Sequence, residues 1–225
     1  MFRLFIAVLI ILGACAHPPA PVAPPPPPAQ QAHAFPHGFD NPDEWAPRFE
    51  DPARDVWQKP DQVIAALKLD PHARVADIGS ATGYFPVRLA RALPLGKIWG
   101  VDIEPGMTRY LADRAANEGL PNLKAILGAP DDPQLPERVD LVLIVDTFHH
   151  IDHRAAYFEN LKSHLAADGR LAIIDFKADS PIGPPAEHRL SAAQIEADLK
   201  AAGWQKTGQL DLLPYQHFLL FTTVR

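Results

Sequence analysis

The sequence predicts an α/β protein, a three-layer sandwich in which helices cover both faces of a mostly parallel, seven-stranded sheet. Three observations predict this fold. From residue 60 onward, short apolar runs typical of buried strands alternate with segments of helical periodicity. Five such alternations imply parallel strands joined by crossover helices. The last two β-rich runs have no helix between them, so we expect them to form an antiparallel hairpin.

The first three strands are bounded by recognisable helix signals. The helix that precedes them places Val63, Ile64 and Leu67 on one face. Pro105 opens the helix after the second strand, where its missing N–H costs little. In order, we predict a helix over 61–69, a strand over 74–78, a helix over 83–93, a strand over 97–101, a helix from 105 and a strand over 123–127.

The second half of the domain ends in the hairpin. Gly169 is expected to end one helix and Gly203 another, as helix-ending glycines do. Ser191 and Gln194 have the spacing of a capping box, which begins the last helix. In order, we predict a strand over 139–145, a helix over 153–165, a strand over 170–176, a helix from 191 to about 202, and strands over 204–213 and 215–224.

The N-terminus has the pattern of an export signal. The apolar run 4–12 is too short to span a bilayer as a helix, and it fits a signal-peptide core. The segment 12–15 ends in Cys15 and resembles the bacterial lipobox, whose cysteine is lipidated; the alternatives are an ordinary signal peptide and an uncleaved anchor. We therefore predict a signal peptide over 1–14, a lipidated proline-rich tether over 15–36, a cap segment over 37–59 and the folded domain over 60–225. We expect the protein to be anchored on the periplasmic side of the outer membrane.

Composition restricts the partners and the chemistry. The formal net charge of −6 argues against nucleic acid as a partner, because phosphate binding needs a basic face. Cys15 is the only cysteine, so neither an intrachain disulfide nor a cysteine-based metal site can form. No metal is expected at the histidines near residue 150 either, since contiguous residues on a turn rarely converge on one ion. A small molecule and, through the lipid, a membrane are the expected partners.

The loop after the first strand has the features of a ligand site. Its glycines, Gly79 and Gly83, are separated by three residues in a G-x-x-x-G pattern, and Ala81 is the middle one of the three. A dinucleotide site instead requires G-x-G-x-x-G, which places pyrophosphate on the helix N-terminus. Asp77, at the end of the strand, suits a cationic ligand and would repel pyrophosphate. The alternative is a tight strand-to-helix turn that binds no ligand.

An acidic residue ends the second strand as well. Asp102 lies 19 residues after Gly83, where a carboxylate can accept hydrogen bonds from both hydroxyls of a ribose. This feature indicates an adenosine ligand. Asp102 could also cap the helix that begins at Pro105.

In combination, these motifs resemble the class I S-adenosylmethionine-dependent methyltransferases, and most closely the branch that contains the ubiquinone/menaquinone C-methyltransferases. The resemblance covers about 165 residues and implies a Rossmann-like fold with S-adenosylmethionine as cofactor. It implies the following cofactor contacts: Asp77, Gly79, Ala81 (in place of a glycine), Thr82, Gly83, Asp102, Ile103, Asp131, Asp132 and Val145. Asp131 and Asp132 would lie against adenine, or else form a solvated turn.

Candidate catalytic residues follow the fourth strand, because ligands bind at the carboxyl edge of such sheets. They are Asp146, His149 and His150. A histidine there could deprotonate or orient a hydroxyl, although it could equally be structural. The leading hypothesis is methyl transfer to a small molecule. The alternatives are an exported binding module without turnover, motivated by the export signal, and an NAD-dependent oxidoreductase.

Overall fold

A computed structural model describes Phe39 and residues 41–224 of the chain. The predicted signal peptide, Cys15, the tether and the start of the cap segment lie outside the described residues. The helices are α1 (Pro42–Phe49), α2 (Arg54–Gln58), α3 (Pro60–Leu67), α4 (Tyr84–Ala92), α5 (Pro105–Asn117), α6 (Arg154–Leu161) and α7 (Ala192–Ala201). The strands are β1 (Arg74–Ile78), β2 (Lys97–Asp102), β3 (Leu123–Leu127), β4 (Val139–Val145), β5 (Leu165–Phe176), β6 (Trp204–Gln209) and β7 (Gln216–Thr223).

The seven strands form one sheet in the order β3-β2-β1-β4-β5-β7-β6. Strands β1 to β5 are parallel to one another, whereas β7 runs antiparallel to both β5 and β6. The chain order reverses between β1 and β4, so the carboxyl ends of these central strands flank the crevice where open α/β sheets bind ligands. The predicted fold class, including the closing antiparallel hairpin, is confirmed.

Two apolar cores lie on opposite faces of the sheet, because alternate strand residues point to opposite sides. On β4, Leu141 and Leu143 belong to the core that includes α3, α4 and α5 residues. Their neighbours Val142 and Ile144 belong to the core that includes Phe158 of α6. All four β4 residues are fully buried, which explains why this strand reads as a continuous apolar run.

The boundary between α6 and β5 corrects one prediction. The helix predicted over 153–165 ends at Leu161 and continues only as a 3₁₀ turn, while Leu165 already pairs with Val139 of β4. Gly169 is therefore not a helix stop but part of β5. Leu161 and Leu165 are both buried and four residues apart, so their spacing imitates a helix. An added Cβ at Gly169 would lie 2.5 Å from Leu165, which explains the glycine.

The closing strands are shorter than predicted, since the connection between β6 and β7 takes up residues 210–215. Gly203 has the predicted helix-ending role, with a φ of +77° directly after α7. The Ser191 side chain accepts a hydrogen bond from the Gln194 amide, as the capping pattern predicted. In the described part of the chain, no helix is long and apolar enough to cross a membrane.

Candidate active site

Four aspartates line the carboxyl edge of the sheet. Asp77 and Asp175 are the penultimate residues of β1 and β5, Asp102 ends β2 and Asp146 follows β4. Because these strands are neighbours in the order β2-β1-β4-β5, the four carboxyl groups lie along one edge. Asp77 and Asp175 are buried. This edge therefore has a negative potential that favours a cationic ligand.

The loop after β1 is held tightly against its neighbours. The amides of Gly79 and Ser80 both donate to Val101 O, at 2.8 and 3.0 Å. An added Cβ at Gly79, which has a φ of +76°, would collide with Thr147 in the turn after β4. Ala81 also has a positive φ, of +45°, where glycine is favoured. The loop after β1 is thus in direct contact with the turn that carries the candidate catalytic residues.

Asp102 connects this loop to the start of α5. Its carboxylate accepts from the Ala81 amide at 2.8 Å and from the Glu104 amide at 3.0 Å. The predicted side-chain cap is not seen, because Glu104 is the N-cap residue of α5 and Asp102 accepts only from its amide; each carboxylate oxygen of Asp102 retains capacity for a further donor. Burial raises the pKa of this carboxyl above its usual value.

An apolar surface flanks Asp102. Ile103 is 55% exposed, and Leu127 at the end of β3 is 49% exposed. Leu127 is the register partner of Asp102, so both apolar residues border the same carboxylate. Ile103 is among the cofactor contacts that the sequence implies, whereas Leu127 is not. The sequence signal for Leu127 was an apolar residue at the carboxyl end of the predicted neighbouring strand. Two exposed aliphatic side chains here suit the flat face of an adenine.

Asp77 is an uncompensated buried acid. Burial, and then the charge of Asp102, raise its pKa well above the usual value, while Arg54 opposes this effect. An ammonium or sulfonium close to Asp77 would favour its ionised form, because opposite charges stabilise one another in a poorly solvated site.

Arg54 on α2 brings a cation to this acidic edge. Its Nε donates to Gln58 Oε1 at 2.9 Å, and it also hydrogen-bonds the Phe49 carbonyl. The guanidinium lies 4.0 Å from the centre of the Tyr84 ring. Burial lowers the pKa of Arg54, an effect that Asp146 opposes. Arg54 lies within the predicted cap segment 37–59, but the sequence pattern did not single it out.

Asp146 anchors α2 to the sheet. It accepts from Gln58 Nε2 at 2.9 Å and from Gln216 Nε2 at 2.5 Å, and it lies 3.9 Å from Arg54. Burial, and then the charge of Asp175, raise its pKa to about 6. Asp146 thus joins the N-terminal segment, the turn after β4 and the last strand.

His149 and Asp175 form a buried pair. His149 Nδ1 lies 2.9 Å from Oδ1 and 3.0 Å from Oδ2 of Asp175, and the His149 amide donates to the same carboxylate. The adjacent His150 ring packs against Phe39 at 5.9 Å between centroids. Burial, and then His149, lower the pKa of His150 to about 4, so its ring is a weak base.

Two predicted cofactor contacts have protein partners in the structure. The Thr82 hydroxyl donates to Glu50 Oε1 at 2.7 Å, and Glu50 in turn pairs with Arg114. Asp132 accepts from the Asn160 side chain at 3.1 Å, which ties the loop after β3 to α6. Its neighbour Asp131 is exposed, and Val145 is buried at the end of β4. In the described residues no group of three or more acidic, histidine or cysteine side chains could hold a metal ion.

Comparison with known proteins identifies the fold's relatives. Residues 76–171 match a family described as "Methyltransferase domain". Over 114 residues the chain is 27% identical to a ubiquinone/menaquinone biosynthesis C-methyltransferase of Cupriavidus metallidurans, covering 50% of this chain and 47% of that protein. It is 32% identical over 116 residues to a malonyl-[acyl-carrier protein] O-methyltransferase of Acetivibrio thermocellus, covering 51% and 40%. The chain thus spans about half the length of the curated relatives it matches, or less.

Solved structures agree on the fold. A SAM-dependent methyltransferase from Aquifex aeolicus superposes with a TM-score of 0.75 at 24% identity, covering 82% of this chain and 99% of that one. The magnesium protoporphyrin IX methyltransferase of Synechocystis, solved with bound SAH, superposes with a TM-score of 0.63 at 20% identity, covering 83% and 96%.

Proposed function

We propose that this chain transfers a methyl group from S-adenosylmethionine to a small-molecule acceptor, and the match of residues 76–171 to a family described as "Methyltransferase domain" supports this proposal. The observation that carries the proposal is the junction of Asp102 with the loop after β1, through the Ala81 amide. It brings a ribose-binding acid and a small-residue loop together at the strand-order reversal of the sheet.

The residues of the carboxyl edge fit the three parts of S-adenosylmethionine. Asp102 would accept from the ribose hydroxyls, and the exposed faces of Ile103 and Leu127 would cover the adenine. Asp77 would pair with the ammonium of the methionine moiety, and Arg54 with its carboxylate. The assignments of Asp77 and Arg54 each place a ligand charge against the opposite charge of the protein, and such pairing is stronger in a poorly solvated crevice.

The bound cofactor supplies the reactive methyl carbon, as part of a sulfonium. The chain's contribution is to hold that cation at an acidic, partly dry edge and to orient the acceptor for in-line displacement. A dinucleotide would bring pyrophosphate to the same acids, which is why an NAD-dependent oxidoreductase is the weaker alternative. A binding module without turnover would share every cofactor contact, and only an activity measurement separates it from the enzyme.

The acceptor is proposed at the level of chemical class. Two curated relatives bear names that specify different acceptors, a quinone precursor in one and an acyl-carrier-bound malonyl group in the other. The two names therefore agree on methyl transfer but not on the acceptor. From the sequence pattern around Cys15 we also propose that the domain is exported and held at a membrane by a lipid.

The cofactor assignment is tested by substituting Asp102 and its neighbour. We expect Asp102→Ala to weaken binding of S-adenosylmethionine at least about tenfold, since charge-assisted hydrogen bonds contribute roughly 1.5–3 kcal/mol each. Glu104→Gln is the matched control, because Glu104 lies two residues away and hydrogen-bonds Asp102 through its backbone amide, which the substitution keeps. Calorimetric titration of the full chain in detergent gives both dissociation constants. Equal affinities for Asp102→Ala and the unsubstituted chain would remove the ribose assignment.

A further inference from the structure

We propose that His149, positioned by Asp175, removes the proton from a hydroxyl acceptor, so that the methyl group is transferred to oxygen. The inference rests on the proposed function and specifies the acceptor atom of the same site. It is carried by the geometry of the pair and by its place beside the cofactor loop.

The pair fixes the histidine tautomer. The Asp175 carboxylate already accepts from the amides of His149 and Phe176, at 3.2 and 2.8 Å, so it acts as an acceptor on every side. His149 Nδ1, between its two oxygens, must then carry the proton. In the neutral ring the basic lone pair is left on Nε2. Both side chains are at least 95% buried, which holds the ring in one orientation.

The pair lies next to the methyl-donor side of the crevice. His149 is two residues after Thr147, whose side chain packs against Gly79 of the cofactor loop. Asp175 is the penultimate residue of β5, the strand beside β4, so the pair connects two adjacent strands at the carboxyl edge. A base on this turn is therefore close to the place where an acceptor would meet the methyl group.

An aromatic wall borders the same turn. Phe39 lies 5.9 Å from the His150 ring and 4.9 Å from Trp45, which stacks on Phe49 at 5.6 Å. These rings shield the turn from water and present flat apolar surface to an acceptor. A hydroxyl on an aromatic ring fits this combination of flat surface and buried base.

The proposed step balances without another reactant. The acceptor O–H proton passes to His149 Nε2, and the oxygen lone pair forms the new C–O bond. The bond between methyl carbon and sulfur breaks, and sulfur keeps the electron pair as S-adenosylhomocysteine. The imidazolium so formed is stabilised by the Asp175 carboxylate, and it later releases its proton to water.

The test uses two phenolic probes, catechol and 4-nitrocatechol, with the full chain in detergent. At about pH 8 catechol is protonated, whereas the nitro compound is largely ionised and needs no base. We expect His149→Gln to lower kcat/KM for catechol on the order of 100-fold, as loss of a general base does, and to affect 4-nitrocatechol much less. Asp175→Asn should lower the catechol rate and move the acidic limb of its pH profile to lower pH. His72→Gln, on an exposed turn before β1, is the control histidine.

Calorimetric binding of S-adenosylmethionine by each variant shows whether its site is intact. Equal losses on both probes, or an unchanged pH profile in Asp175→Asn, would show that the pair is structural. Binding of the cofactor by the unsubstituted chain without methylation of either phenol would overturn the hydroxyl assignment and leave the cofactor assignment standing. Failure to bind the cofactor at all would instead contradict the proposed function.

Discussion

At the scale of single residues, buried carboxyl groups determine the character of the site. An isolated buried carboxylate is costly, and Asp77 has a raised pKa because burial and Asp102 both disfavour its charge. The chain keeps this acid in a position where a packed apolar residue would stabilise the fold more. The cost of burying Asp77 is explained if its carboxylate pairs with a cationic ligand.

Asp77→Asn should therefore stabilise the free protein and weaken cofactor binding. The substitution removes a charge that has no fully compensating partner, so we expect the apo Tm to rise by a few degrees. It also removes the partner of the ligand's ammonium, which should weaken binding of S-adenosylmethionine about tenfold or more. Thermal unfolding and calorimetry measure the two effects. A fall in both Tm and affinity would mean that Asp77 is mainly structural.

Asp146 gives the free protein a pH dependence with a defined sign. Its pKa is raised to about 6 from 3.8, so between these values the folded state binds more protons than the unfolded state. Stability from this group therefore falls as pH rises through about 6, by about 1–3 kcal/mol. We subtract the Tm of the unsubstituted chain from the Tm of Asp146→Asn. We expect this difference to be more positive at about pH 7.5 than at about pH 5, because only the unsubstituted chain loses stability as the aspartate ionises. A difference that is independent of pH would contradict the raised pKa.

At the scale of elements, the N-terminal helices cover the carboxyl edge through polar contacts. α1 leads into Glu50, which pairs with Thr82 and Arg114, and α2 is anchored through Gln58 and Asp146. These contacts join the segment to the loop after β1, to α5 and to the turn after β4. The short helices therefore belong to the proposed cofactor site.

Arg54→Met tests this role of α2. The substitution keeps an unbranched side chain but removes the cation proposed to meet the methionine carboxylate, so we expect cofactor affinity to fall roughly tenfold to a hundredfold. Arg48→Met on α1 is the matched control, because Arg48 is exposed and lies over the Trp45 ring. Calorimetry with S-adenosylmethionine compares the two. Similar affinities in both variants would mean that Arg54 does not bind the methionine carboxylate.

At the scale of the whole molecule, periodicity predicted all seven strands, because buried parallel strands read as short apolar runs. It misplaced the end of α6, because Leu161 at the end of the helix and Leu165 at the start of β5 are both buried and have helical spacing. Contacts between distant segments had no sequence signal. Gln58 and Asp146 are 88 residues apart, and Asp146 and Gln216 are 70 apart, so only the folded sheet brings them together. Arg54 was missed for the same reason.

The N-terminal prediction also belongs to this scale. If Cys15 is the lipidated residue, Cys15→Ser should abolish incorporation of a fatty-acid probe and release the protein from the membrane fraction. The folded domain is remote in sequence from this substitution, so its cofactor affinity should be unchanged. Continued labelling of the serine variant would exclude the lipobox.

The central claim is that this acidic edge binds S-adenosylmethionine. The most direct measurement is calorimetric titration of the full chain in detergent with S-adenosylmethionine and, in parallel, with NAD. We expect binding of S-adenosylmethionine in the micromolar range and no detectable binding of NAD, because an acidic edge that favours a cationic ligand repels a pyrophosphate. Binding of NAD, or of neither ligand, would contradict the account.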